Sequence, residues 1–251
     1  MVGAPGRRAV ESRLAELRDE LDVDFCVLNG ENLADGVGIT PKLAERMLAA
    51  GADAITLGNH VWRRQEIVPY LGNAERVVRP ANLMSTAPGR GLRVVPSSDG
   101  SAVAVINLLG ELFIEVPRSP WDVVDELVEE ARRETNVIVV DMHAEATSEK
   151  VAMATWLDGK VTAVIGTHTH VQTNDARVLP GGTAALSDAG MTGPHDSVIG
   201  VQADLAIRRM RTGIPVRFET AAGDVRIEGA VVECDESGRA RTIETVRVRV
   251  E

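Results

Sequence analysis

Four of the five histidines directly follow short apolar runs: His60 in "DAITLGNH", His143 in "NVIVVDMH", and His168 and His170 in "VTAVIGTHTH". Glu31 and Asn32 follow a fourth such run, "DFCVLNG", and Asn59 immediately precedes His60. Imidazole nitrogens together with carboxylate and carboxamide oxygens suit Mn, Fe or Zn, whereas Ca takes oxygen ligands alone. In "GTHTH" the spacing of two puts both rings on one side if the backbone stays extended, where they could grip one metal or two adjacent ones. Neither Cys26 nor Cys234 stands among these residues, which argues against a closed structural zinc site and for an open catalytic one. The fifth histidine, His195 in "GPHDSVIG", reads as a loop residue.

The elements that must position these groups are legible as alternating patterns. Val10, Leu14, Leu17 and Leu21 repeat at helical spacing after Pro5, which suits a first helical turn. "DFCVLNG" reads as a buried strand, Thr40 and Pro41 as the cap and first residue of a helix through Ala50, and "DAITLGNH" as the next strand. "AVAVINLLG", "NVIVVDMH" and "VTAVIGTHTH" follow as strands, separated by helices starting near Trp121 and near Ser148. Strands alternating with helices predict a mostly parallel sheet, and ligands of such sheets gather outside the carboxyl ends of the strands. After a helix in "VQADLAIRRMRTG", the stretches "PVRFET", "DVRIEGAVVE" and "ARTIETVRVRV" alternate with period two and predict antiparallel strands. No linker or internal repeat divides the chain, so residues 1–251 read as one domain.

A chain of 251 residues with 44% hydrophobic residues can bury a substantial core. Its net charge of -10, from 37 acidic against 27 basic residues, disfavours a nucleic-acid binder, because a phosphate backbone demands a basic face. Two distant cysteines give no disulfide framework, and neither a signal-peptide core nor a bilayer-length run is present. A soluble protein in a reducing, cytoplasmic setting is expected, with no membrane partner.

In order and spacing, "NGEN", "TLGNH", "DMHAEATSEK", "GTHTHVQT" and "LSDAGMTGP" resemble the YmdB-like branch of the calcineurin-like metallophosphoesterases, over essentially the whole chain. The resemblance implies an α/β sandwich of mixed sheets flanked by helices. It also implies a dinuclear metal-dependent phosphodiesterase that hydrolyses small cyclic phosphodiesters such as 2',3'-cyclic nucleotides through a hydroxide held between two cations. Carried over by position, Glu31 would bridge the metals; Asn59, His143 and His168 would complete one shell; and His170, with Asn32, would serve the other. His60 would be the catalytic acid that protonates the leaving ribose oxygen. The ions implied are divalent or mixed-valence Fe or Mn, with Zn as a further option, and homo-oligomerisation is also expected from the family. The alternative from another class is a catalytically impaired metal-binding or regulatory protein on the same scaffold; an RNA-binding protein would need a basic groove that this composition does not offer.

In the resembled family a strand ending in Gly-Asp stands before the turn that here reads "VGAPGRR", and its aspartate ligates a metal. The expectation is therefore that this strand and ligand lie ahead of Met1. Either Met1 is an internal methionine of a longer protein, or the chain is a shortened, weakly active relative.

Other residues have plainer readings. Gly58 and Gly166 are strand-end glycines that permit a turn. Trp62 and Trp156 are packing residues rather than base-stacking platforms, since aromatics make up only 3% of the chain. Asp188 and Thr192 serve substrate contact or loop structure, and Asp141 either orients a ligand or is simply buried against a neighbouring loop. Arg208, Arg209 and Arg211 form a solvated helix face.

Overall fold

Val10, Leu14 and Leu17 do line one buried face of a helix, α1 (Gly3–Glu20), in a computed structural model that describes residues 1–250. The chain then enters a small parallel sheet of β1 (Val27–Asn29), β2 (Ala54–Thr56) and β3 (Val77–Val78), in that spatial order. Its crossovers are α2 (Pro41–Ala49), capped by Thr40 Oγ1 accepting the Leu43 amide at 3.4 Å, and the short α3 (Ile67–Leu71). Ahead of α1, Val2 forms a parallel bridge to Asn32, and the Gly3 amide donates to the Asn32 carbonyl at 3.0 Å.

A second sheet begins with β4 (Leu92–Pro96) and β5 (Ala102–Leu109), passes through α4 (Trp121–Arg132) to β6 (Val137–His143), and through α5 (Thr147–Trp156) to β7 (Ala163–Thr167). With β8 (Arg177–Val178) and β9 (Ala184–Leu186) it has six strands in the order β4-β5-β6-β7-β9-β8. The four strands from β5 to β9 in that order run parallel, and both edge strands run antiparallel. A third, antiparallel sheet joins β10 (Gly193–Asp196) to the ribbon of β11 (Gly223–Cys234) and β12 (Ala240–Arg249), after α6 (Ala203–Thr212). Leu17 and Ala9 of α1 pack on Ile227 of that ribbon.

Period two decides which residues each layer buries. Ala104, Ile106 and Leu108 of β5, and Ile138, Val140 and Met142 of β6, pack against Val124 and Val128 of α4 and Met153 of α5. The alternate residues Val103, Val105, Val137 and Val139 face the other way, onto Val27, Ala54 and Val78 of the first sheet. The fold is thus the expected α/β sandwich: two sheets face to face, with helices outside. The same alternation carries Asn107, Asp141 and His143 onto the inter-sheet side, at the carboxyl ends of the strands. Those three side chains are buried polar groups in a stretch that is otherwise apolar.

Two local expectations fail. Residues 215–219 of "PVRFET" form no strand, and only Thr220 makes an isolated bridge, to Val201. His195 lies within β10 rather than in a loop.

Candidate metal centre

The site forms where the carboxyl ends of β1, β2, β6 and β7 meet, and Glu31 is its centre. Its side chain is 1% exposed, with Oε2 2.9 Å from His143 Nε2 and Oε1 2.9 Å from His60 Nδ1. Oε1 also accepts the His60 backbone amide at 3.0 Å. Burial by itself would raise the Glu31 carboxyl, but the charge and hydrogen bond of His143, helped by His60, outweigh it and hold Glu31 well below the usual carboxylate range.

Hydrogen-bond bookkeeping gives the protonation of each ring. Thr167 Oγ1 donates to Asp141 Oδ1 at 2.6 Å, so it can only accept from His143 Nδ1, 2.9 Å away. His143 therefore carries a proton on Nδ1 and turns Nε2 toward Glu31, Asn59 Oδ1 at 3.1 Å and His168 Nδ1 at 3.1 Å. His168 in turn presents Nε2 to Glu145 Oε2 at 3.1 Å, which leaves the Nδ1 lone pair for the cluster. Electron pairs from Glu31 Oε2, His143 Nε2, Asn59 Oδ1 and His168 Nδ1 converge on one small volume, and those of Glu31, His143 and His168 all lie within 4.8 Å of one another. Converging lone pairs repel unless a positive charge sits among them, so this donor set fits a divalent cation.

In the metal-free site a proton on His143 Nε2, shared with Glu31, supplies that positive charge. Burial would lower His143, yet the Glu31 charge and bond, with Asp141, raise it above the ordinary imidazole value. Burial and the neighbouring His143 push His168 down to about 4, against the pull of Glu31. His170 is lowered too, chiefly by burial.

A second group adjoins the first through Asn32. Asn32 Oδ1 is 2.9 Å from His60 Nδ1, and its Nδ2 donates to His170 Nε2 at 3.1 Å. His170 Nδ1 donates to the Ile199 carbonyl at 3.0 Å, so Nε2 holds that ring's lone pair. Around His60, both neighbours of Nδ1 are oxygen acceptors, which places a proton on Nδ1 and leaves Nε2 without a protein partner among the described residues.

The structure thus brings Glu31, Asn32, Asn59, His60, His143, His168 and His170 together, and leaves His195 apart on the Met191 carbonyl at 3.1 Å. The extended-backbone reading of "GTHTH" does not hold: β7 ends at Thr167, and His168 and His170 adopt φ of 103° and 65°. The two rings point to different partners instead of sharing one strand face. Gly58 opens a turn as expected, its carbonyl accepting the Val61 amide at 3.1 Å, whereas Gly166 lies within β7; neither has a left-handed backbone. Each is a point of close approach: a Cβ on Gly58 would lie 2.5 Å from His143 Cε1 and 2.7 Å from Glu31 Cδ.

Asp141 is a hub rather than a merely buried group. It accepts Asn29 Nδ2 at 3.0 Å, the Thr56 hydroxyl and the Thr167 hydroxyl, tying β1 and β2 to β6 and β7 beneath the site. Thr167, which orients His143, was missed in the sequence because a threonine closing an apolar strand carries no signal of its own. Trp62 packs against the first core, as expected, but Trp156 is 49% exposed, under Lys160 Nζ at 4.1 Å from its ring centre. Among the described residues no helix is long and apolar enough to cross a membrane.

Comparison with known proteins places this architecture. The sequence model of the YmdB-like protein family matches residues 1–246. A 2',3'-cyclic-nucleotide 2'-phosphodiesterase of Bacillus subtilis (strain 168) is 44% identical over 236 residues, covering 94% of this chain and 89% of that protein. The crystal structure of a hypothetical protein from Thermus thermophilus superposes with a TM-score of 0.91 at 37% identity, covering 99% of this chain and 96% of the other. A structure described as a novel phosphatase from Mycoplasma pneumoniae superposes with a TM-score of 0.90 at 33% identity, covering 99% and 90%.

Proposed function

The chain belongs to the YmdB-like protein family, and on that premise we propose that it is a metal-dependent phosphodiesterase acting on small cyclic phosphodiesters of the 2',3'-cyclic nucleotide kind. The observation that carries the reading is the convergence of Glu31 Oε2, His143 Nε2, Asn59 Oδ1 and His168 Nδ1 on one small volume.

Glu31, Asn59, His143 and His168 would hold one ion; Glu31, with its second oxygen, Asn32 and His170 would hold another. Two bound divalent or mixed-valence ions, of Fe or Mn or alternatively Zn, would supply neutralisation of the phosphoryl oxygens and acidification of an attacking water. Asp141, through Thr167, keeps the His143 proton on Nδ1, so that Nε2 stays available as a donor. His60 is fixed at Nδ1 by Glu31 and Asn32 and presents Nε2; in its imidazolium form it would give the Nε2 proton to the leaving ribose oxygen as the cyclic ester opens and keep the proton on Nδ1. The chain is one domain that self-associates and works in the cytoplasm, a setting in keeping with two free thiols.

The test is metal content per chain together with Mn-dependent hydrolysis of 2',3'-cyclic AMP in the same sample. Two metals with turnover support the enzyme. Metal uptake without turnover of any cyclic phosphodiester would replace it with the non-catalytic, metal-binding alternative.

A further inference from the structure

A buried ion pair lies directly beneath the two histidines that follow β7. Lys150 Nζ, from α5, is 2.8 Å from Oδ2 of Asp188, which follows β9, and the two side chains are 3% and 1% exposed. The same Oδ2 accepts both the backbone amide of Thr169, at 3.1 Å, and its hydroxyl, at 2.8 Å. Oδ1 accepts the Gly190 amide at 2.9 Å. Thr173 then locks the anchor in place, its hydroxyl accepting the Asp188 amide at 2.9 Å and its own amide donating to the Asp188 carbonyl at 3.1 Å.

Thr169 is the residue between His168 and His170, whose left-handed φ values are sparsely populated by non-glycine residues and persist only where the surroundings over-determine them. Asp188 supplies that determination: it holds Thr169 by two bonds while His168 meets His143 and Glu145, and His170 meets Asn32 and Ile199. One oxygen that accepts three donors needs full negative charge, and a carboxylate this deeply buried needs a cation beside it. The glycine of "GTHTH" belongs to the same device. A Cβ on Gly166 would lie 2.7 Å from Lys150 Cδ and would collide with the Ser187 carbonyl, so only glycine lets the lysine stem pass under the end of the strand.

We propose that Lys150 and Asp188 are positioning residues: their ion pair clamps Thr169 so that His168 is presented to Glu31 and His143, and His170 to Asn32. This rests on the metal-site reading above, and the test separates the two. The paired variant Lys150→Met with Asp188→Asn removes both charges at similar volume and leaves no unpaired buried ion. The amide oxygen can accept from Thr169 or from Gly190 but not both, and no charge-assisted bond remains, so the clamp is weakened. Thr169→Val, which removes only the hydroxyl bond, is a milder companion at a residue that is not buried.

Two readouts are taken: amide exchange of Thr169 in metal-free protein, and Mn(II) affinity by calorimetry. The paired variant is expected to exchange at Thr169 roughly tenfold faster or more. It is also expected to bind Mn(II) roughly 10–100-fold more weakly, with Thr169→Val intermediate in both readouts. If both variants match the wild type in exchange and affinity, the clamp is refuted while the metal site stands. If the wild type binds no metal but the Thr169 amide still loosens in the variants, the clamp stands and the phosphodiesterase reading falls.

Discussion

Replacing Gly58 with alanine adds one methyl group at the crowded centre of the site. That methyl would sit 2.5 Å from His143 Cε1 and 2.7 Å from Glu31 Cδ, whereas ordinary contact begins at 3.4 Å. The two side chains must therefore withdraw by about 0.9 Å and about 0.7 Å, differences that follow directly from those distances. Neither has room: His143 and Glu31 are each 1% exposed, and His143 is held at Nδ1 by Thr167. Overpacking of this kind costs about 1–3 kcal/mol. For a chain of this size that lowers Tm by roughly 2–12 °C, so the variant should still fold. Displacing catalytic geometry by about 1 Å costs on the order of 100-fold in rate, and the loss should far exceed what the lowered stability explains. The assay is Mn-dependent hydrolysis of 2',3'-cyclic AMP at 25 °C, alongside metal content and thermal unfolding. Turnover within about twofold of wild type, with metal content intact, would refute the claim that Glu31 and His143 act together at that point.

Three further outcomes are expected. His60→Ala should lower kcat by roughly 10²–10⁴-fold, the usual worth of a positioned proton donor, while both metals remain bound; loss of metal instead would make His60 a ligand. Asp141→Asn must turn an NH2 toward one of three donors that now point at the carboxylate, costing about 1–3 kcal/mol, and it should weaken metal binding by roughly 10–100-fold, checked by thermal unfolding and calorimetry. In metal-free protein, stability should fall as pH drops from 6.5 toward about 4, because the unfolded chain takes up a proton at His168 that burial and His143 deny it in the folded state. His143 is raised, so its contribution is complete below 6.5 and does not oppose the fall in that window; His168→Asn should flatten the profile, and an unchanged slope would refute the assignment.

The sequence alone determined the layers and the inventory of chemistry. Apolar runs of period two and helices of period 3.6 are local properties, and they placed α1, α2 and the strands β5, β6 and β7 of the larger sheet close to where they lie, but not its β4, β8 and β9. Because parallel strands end their apolar stretch where the chain must turn, a polar residue just past each run already marked one rim, and all seven candidate residues are found there. Residues 215–219 were misread because period-two alternation can arise without a partner strand, and pairing is a property of the neighbour.

Only the tertiary structure decided how those residues act on one another. Which ring nitrogen holds a proton depends on Thr167, Glu145 and Ile199, which lie 24, 23 and 29 residues from His143, His168 and His170 and meet them only when the sheets close. The divergence of His168 and His170 depends on a lysine and an aspartate from two other elements that reach under the strand end. The need for glycine at 58 and 166 comes from what packs against them and not from their own φ. Spacing along a chain specifies direction only while the backbone stays regular. At the end of β7 it does not, and long-range hydrogen bonds set the geometry there.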